Sequence, residues 1–145
     1  MAGVNVPVAL DELETEVLRA CCRESEWPAA VAAGVYAGVG FAIERPAIAR
    51  ELVSERTLGG ASPDVYGRLI GRLAGFIRAG APVDARLPAS TDEALVAGMV
   101  GLVGDHVRTG RLDRLAELRP ELVLLALLPY LGFEEARHWA NLVEK

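Results

Sequence analysis

The sequence predicts an all-α domain, and three observations carry that prediction. Apolar residues recur at intervals of three and four along most of the chain, and no strand-like alternation persists beyond a few residues. The chain is 52% hydrophobic but only 6% aromatic, so its core must be assembled from Ala, Val, Leu and Ile, a mixture suited to closely packed helices. Its 145 residues fit one domain, which would bury roughly two thirds of its unfolded surface. Residues 1–9 are taken as a lead-in and 10–145 as a domain of six to seven helices.

The first helix is expected from about Leu10 to Glu24, with Leu10, Leu13, Val17, Leu18 and Cys21 on one face. Asp11, Glu12, Glu14 and Glu16 would then occupy its solvated, dipole-favoured beginning. Ser25 or Glu26 can cap a second helix, Trp27 to Glu44, in which Pro28 takes an early position where its missing N–H costs nothing. Pro46 ends it, because proline restricts the residue before it, and opens a third helix to about Thr57. After the loop "GGASPD", with Ser62 as cap, a fourth amphipathic helix runs to about Ala79. It places Tyr66, Leu69, Ile70, Leu73, Phe76 and Ile77 on one face. "STDEAL" reads as the capped start of a fifth helix, about Thr91 to Thr109, with Gly110 as its stop. A short amphipathic turn carrying Leu112, Leu115 and Leu118 leads to Pro120, read as the start of an apolar helix that Gly132 closes. A last short helix presents Phe133, Ala136, Ala140 and Val143 on one side.

Two of these helices are dry on every side. Residues 94–104 contain no charged side chain, and Glu121 is the only charge between Pro120 and Gly132. A helix that is apolar all round needs cover all round, which one small domain does not easily give to two such helices. The expected solution is an antiparallel pair that packs on the domain's own core with one face and on a second copy with the other. That makes a four-helix bundle across a two-fold axis, with Leu95, Met99, Leu102, Leu122, Leu125 and Leu128 as interface candidates. Gly98, Gly101 and Gly104 recur at three, and Gly67, Gly71 and Gly75 at four. Each costs about 1 kcal/mol against Ala in a helix interior, so either backbones or a ligand come close there, or the glycines are compositional drift. Both readings stay open at this point.

The phrases "ALDELETEVLRACCRESEWPAAVAAG", "RPAIARELVSER" and "STDEALVAGMVGLVGDHVRTGRLDRLAELRPELVLLALLPYLGFEEAR", taken in that order, resemble the C-terminal ligand-binding and dimerisation domain of the TetR family of bacterial transcriptional regulators. The resemblance spans roughly residues 9–137 and rests on pattern and phrase, with no invariant catalytic motif. It implies a TetR-like all-helical domain that dimerises through its last two long helices. It also implies an effector site among the helices Trp27 to Glu44, Pro63 to Ala79 and Thr91 to Thr109. The family's N-terminal helix-turn-helix is missing. "AAGVYAGVGFAIERP" echoes its turn, but Val35 to Ile43 offers only Tyr36 as a polar group, whereas a recognition helix presents polar or basic side chains to bases and phosphates. A piece of a longer regulator and a natural member without its reader head both fit.

The expected function is therefore an effector-sensing, dimerising domain of a TetR-like regulator; the alternative is a stand-alone dimeric small-molecule-binding or interaction protein without DNA-binding activity. Small-molecule pockets are mostly apolar with a few placed polar groups. On that basis Tyr36, Phe41, Tyr66, Ile70, Met99, Val103 and His106 are the lining candidates, with Tyr36, Tyr66 and His106 supplying hydrogen bonds. The expected partners are a second copy of the chain and a small, largely apolar effector. A net charge of −5, with no basic block, disfavours direct nucleic-acid contact. The start lacks the basic region and sustained apolar core of a signal peptide, which leads us to expect a cytoplasmic protein. The run Leu122 to Leu128 is far short of the ~20 residues that span a bilayer.

Other chemistry is weakly signalled. Cys21 and Cys22 are adjacent, and neighbouring side chains of a helix point apart, so two ordinary thiols are expected. Glu135 and His138 have the spacing found in di-iron bundles, but Val103 precedes His106 at the matching position, so no metal or other cofactor is expected. No Ser or Cys is placed with Asp105 and His106 for a relay, and no enzymatic activity is expected.

Overall fold

A computed structural model of the chain describes residues 5–58, 63–85 and 87–143. The helices are α1 (Val6–Cys22), α2 (Trp27–Glu44), α3 (Pro46–Leu58), α4 (Pro63–Gly80), α5 (Ala89–Arg108), α6 (Leu115–Leu131) and α7 (Phe133–Val143), with short 3-10 turns at Val83–Ala85 and Leu112–Arg114. Among the described residues there is no strand. The expected cap at Ser62 lies outside the described residues, as does the side chain of Val143.

The molecule is built around α2. Its composition would let it cross a membrane by length and hydropathy, but here its apolar surface is covered by other helices: α1 and α6 pack along it, α3 and α7 touch it, and only Ile43 and Glu44 are exposed. Small residues bring α1 close. A Cβ added at Gly34 would stand 2.7 Å from the Cys21 sulfur, so this glycine is needed by packing. The stripe Gly67, Gly71 and Gly75 on α4 is different, because a Cβ on any of the three meets nothing within 4 Å. The same is true of Gly98 and Gly101 on α5.

Several helix starts differ from expectation, each for a local reason. α1 begins at Val6, because the Asn5 side chain accepts a hydrogen bond from the Val8 N–H at 3.2 Å and Pro7 fits the first turn. Glu14 and Glu16 consequently fall in mid-helix. Glu16 forms a two-pronged pair with Arg45 at 2.9 and 3.1 Å, and Glu14 pairs with Arg72 at 3.1 Å, tying α1 to the α2–α3 junction and to α4. These are surface pairs, each worth at most about 1 kcal/mol.

α6 begins five residues before Pro120, because Leu115 and Leu118 are pulled into the core. Proline deprives the Ala116 carbonyl of its usual N–H partner, and Arg119 replaces it: its Nε donates to that carbonyl at 3.1 Å while its guanidinium lies over the Tyr36 ring, 4.6 Å from the centroid. Gly132 ends the helix with φ of 82°, a conformation open to glycine.

The two helices expected to pair, α5 and α6, are not each other's main neighbours. α6 packs chiefly on α7 and α2, and α5 on α4 and α3, with a lesser contact between α5 and α6. Alanines make this possible. Ala136 and Ala140 of α7 and Ala32 of α2 are buried and let α6 enclose Val123, Ala126 and Leu127 within the subunit. Phe133 of α7 instead stays half-exposed beneath the Arg137 guanidinium.

One buried polar cluster joins four helices. Asp92, only 1% exposed, accepts a short hydrogen bond from the Tyr130 hydroxyl of α6 and a second from Arg78 of α4 at 3.1 Å. The Trp27 ring of α2 stands edge-on to Tyr130 at 5.3 Å and donates its Nε1 proton to the Ile77 carbonyl at 3.0 Å. Asp92 is thus turned inward and makes no helix cap. Burial first, then the hydrogen bond to Asp92 and its negative charge, raise the Tyr130 pKa well above the ordinary phenol value.

The cluster and the open glycines can both be tested by unfolding measurements. Asp92→Ala leaves a buried hydroxyl without its acceptor and Arg78 without its counter-charge, and should cost about 3 kcal/mol in urea unfolding, against about 2 for Tyr130→Phe; a cost under about 0.5 kcal/mol for Asp92→Ala would contradict the cluster. Because the folded-state phenol pKa is raised, this contribution is fully present below the unfolded phenol value of about 10 and is lost as pH rises above it, so wild type should lose stability between about pH 10 and 11 more steeply than Tyr130→Phe. Gly71→Ala should raise stability by about 0.5–1 kcal/mol, since helix propensity improves and nothing is displaced; a lower melting temperature would show that something outside the subunit approaches this face.

Candidate functional site

The four-helix cluster closes one end of an apolar cavity of about 510 Å³. One helical turn beyond Trp27, Val31 faces the cavity, and one turn beyond Asp92, Val96 does the same, with Ile77 between them. From Val96 the wall continues along α5 to Arg108, twelve residues or about 18 Å at 1.5 Å per residue. α1 supplies Leu10, Leu13 and Val17, α2 supplies Gly38, Val39 and Phe41, and α4 supplies Leu69, Leu73 and Phe76. Leu52 and Val53 of α3 and Leu122 of α6 complete it. α1, a stripe of apolar side chains held by its two ion pairs, forms one long wall.

Among the described residues the cavity interior carries no charged side chain. The Tyr66 hydroxyl donates to the Leu52 carbonyl at 2.6 Å. The Cys21 thiol is pushed up to about 11 by burial, and secondarily by Cys22, so it stays protonated at neutral pH. Among the described residues, charge enters the lining only at Asp105 and Arg108. Of the lining positions, Gly101 and Arg108 are the exposed ones, and Asp105 lies between them on the same stripe of α5, which sets the mouth there. Asp105 pairs with Arg108 at 2.5 Å and with Arg111 at 2.9 Å. The Arg108 hydrogen bond, followed by the charges of Arg108, Arg111 and His106, outweighs the slight desolvation and holds the Asp105 carboxyl below its ordinary range.

Of the seven lining candidates, Phe41, Tyr66, Met99 and Val103 face this cavity. The other three point elsewhere. Tyr36 lies under Arg119 between α2 and α6. Ile70 does not reach the cavity and packs against the core cluster that contains Tyr130. His106 is rotated away from the inward-facing Val103 and Val107, and its Nδ1 sits 2.9 Å from the Leu102 carbonyl. Tyr66 spends its hydroxyl proton on Leu52, so its ring and not its hydrogen bond is what the cavity receives. The sequence reading missed the walls from α1 and α3: the apolar stripe of α1 was visible, but a stripe alone does not say whether it meets solid core or a cavity.

The interface candidates divide in a similar way. Leu122 is 2% exposed and Met99 faces the cavity, so neither offers much surface to a partner; Leu95 is half-buried against the core. Leu102 and Leu128 are exposed and Leu125 is half-buried, and these three line a shallow apolar depression between α5 and α6 in which Glu121 is the only charge. Glu135 and His138 are exposed on α7, and among the described residues no three potential ligands cluster as a metal site would require.

No family model, no curated protein and no solved structure matches the chain.

Thiol chemistry checks the site directly. Cys22 is exposed and Cys21 lines the cavity, so a disulfide reagent at pH 8 should label one thiol per chain at once and the second only on unfolding, and Cys22→Ser should remove the fast phase. Two thiols reacting at equal rates would mean that α1 does not pack on α2 as described.

Proposed function

We propose that this chain is the effector-sensing and dimerisation domain of a TetR-like transcriptional regulator, and that its effector is small and largely apolar. The observation that carries the proposal is the cavity: about 510 Å³, within the range of ~300–1,000 Å³ that suits small ligands, and walled by six helices of one subunit. The phrase resemblance to TetR ligand domains supports the same reading. So does the outer surface of α5 and α6, where Ala94, Gly98, Leu102, Leu125 and Leu128 form an apolar strip beside Glu121 that suits a second copy.

Sensing has a structural route in this arrangement. α5 carries the cavity wall on one side, with Met99 and Val103, and the exposed strip on the other, with Gly98 and Leu102. A ligand that shifts α5 would alter how two copies meet, provided that it binds the two arrangements with different affinity.

Light scattering at micromolar concentration should give a dimer, and Leu102→Glu should give a folded monomer, since that side chain is 42% exposed within the subunit and the charge harms only an interface. A wild-type monomer, or a Leu102→Glu dimer, would sink the dimer. A panel of apolar ligands should raise the melting temperature by mass action; no shift from any of them would sink the cavity as a binding site. A reading frame continuing upstream of Met1 into a helix-turn-helix would bear on the regulator reading.

A further inference from the structure

The cavity's charge distribution says more about its occupant than its volume does. A charged ligand group cannot lie within the interior, where among the described residues the lining offers no counter-charge, the Tyr66 hydroxyl is spent on the Leu52 carbonyl and burial keeps the Cys21 thiol protonated. It can lie at the mouth. There, among the described residues, the Asp105 carboxylate faces two guanidinium groups, Arg108 and Arg111, leaving one positive charge in excess by formal count. Among the described residues, the charged side chains that act on Asp105 belong to basic residues. This local excess stands on a chain whose net charge is −5, so it is a feature of this place and not of the surface as a whole.

Both guanidiniums are held toward the mouth. Arg111 is braced by the Thr109 hydroxyl, which accepts from its Nε at 2.7 Å and itself donates to the Asp105 carbonyl at 2.8 Å. The last carbonyls of α5 are answered within the turn that follows, where the N–H of Gly110 reaches Val107 and that of Arg111 reaches His106, so the negative end of the helix is partly neutralised. Arg108 is 54% exposed and can trade its partner Asp105 for an incoming anion without leaving water. The cavity then extends about 18 Å along α5 behind it, apolar throughout.

We propose that the occupant is an amphiphilic carboxylate, its hydrocarbon body inside the cavity and its head at the mouth on Arg108, with Arg111 behind it. This rests on the ligand-binding reading above and adds the class of ligand. The binding is an exchange of ion pairs: the ligand carboxylate takes guanidinium donors that Asp105 releases to solvent, and no covalent step is involved.

Decanoate, decanol and decyltrimethylammonium, all below their micelle concentrations, separate the possibilities by isothermal titration calorimetry on the whole chain. Decanoate should bind, and the double variant Arg108→Gln, Arg111→Gln should weaken it about tenfold while changing decanol less than about twofold. Asp105→Asn should strengthen decanoate several-fold, because it frees both guanidiniums, an effect that a purely structural role for Asp105 would not produce. In wild type, raising salt from about 50 mM to about 500 mM should weaken decanoate and spare decanol. The head assignment is overturned if decyltrimethylammonium binds more tightly than decanoate, or if decanoate affinity ignores the arginine substitutions and the salt. Decanol binding in that case leaves the cavity reading intact, whereas failure of all three probes to bind overturns both. All the substituted side chains are exposed or half-exposed, and an unchanged melting curve keeps a folding defect from imitating a lost contact.

Discussion

A carboxylate buried where four helices meet is the constraint on which the rest of this structure depends. Asp92 would be costly to hold ionised and unpaired in an apolar interior, so α4 must bring Arg78 and α6 must bring Tyr130 to it. Tyr130 in turn fixes where the Trp27 ring can stand, and Trp27 ties α2 back to α4 through the Ile77 carbonyl. Apolar packing alone would let such Ala- and Leu-rich helices slide by a residue or two at little cost. Directional bonds to one buried group select a register for α2, α4, α5 and α6 together.

That fixed end is also what makes a cavity tolerable. Native interiors pack densely, and an apolar void forfeits contacts along its whole lining. Here the helices are pinned to one another at Trp27, Asp92, Arg78 and Tyr130, and the cavity is lined from the neighbouring Val31, Val96 and Ile77 to the mouth at Asp105 and Arg108. α1 spans the gap on the other side, close to α2 at Gly34 and bonded to Arg45 and Arg72 at its acidic face.

Much of this was legible in the residues. Helix number, the proline and glycine boundaries near Trp27, Pro46 and Gly132, and the inward faces of α1 and α4 follow from periodicity and from elementary backbone chemistry. Where expectation failed, a tertiary partner had changed the outcome of a local rule. Asp92, placed where a cap is plausible, found Tyr130 and Arg78 inside. Pro120, a natural helix start, came to lie within α6 because Arg119 satisfied the carbonyl that proline orphans. His106 and Tyr36 carry chemistry suited to a pocket, yet helix rotation aims them elsewhere.

The driest segment, residues 121–137, shows where the division lies. Its composition determined that it must be covered, because apolar surface in water is unfavourable wherever it occurs. It did not determine by what. Only the tertiary structure decided that Ala136 and Ala140 of α7 and the small residues of α2 would cover Val123, Ala126, Leu127 and Tyr130, leaving Leu128 and Phe133 exposed. The same holds for the cavity: an amphipathic stripe specifies which side of a helix avoids water, whereas the presence of space beyond that side depends on distances between helices, which no single segment encodes.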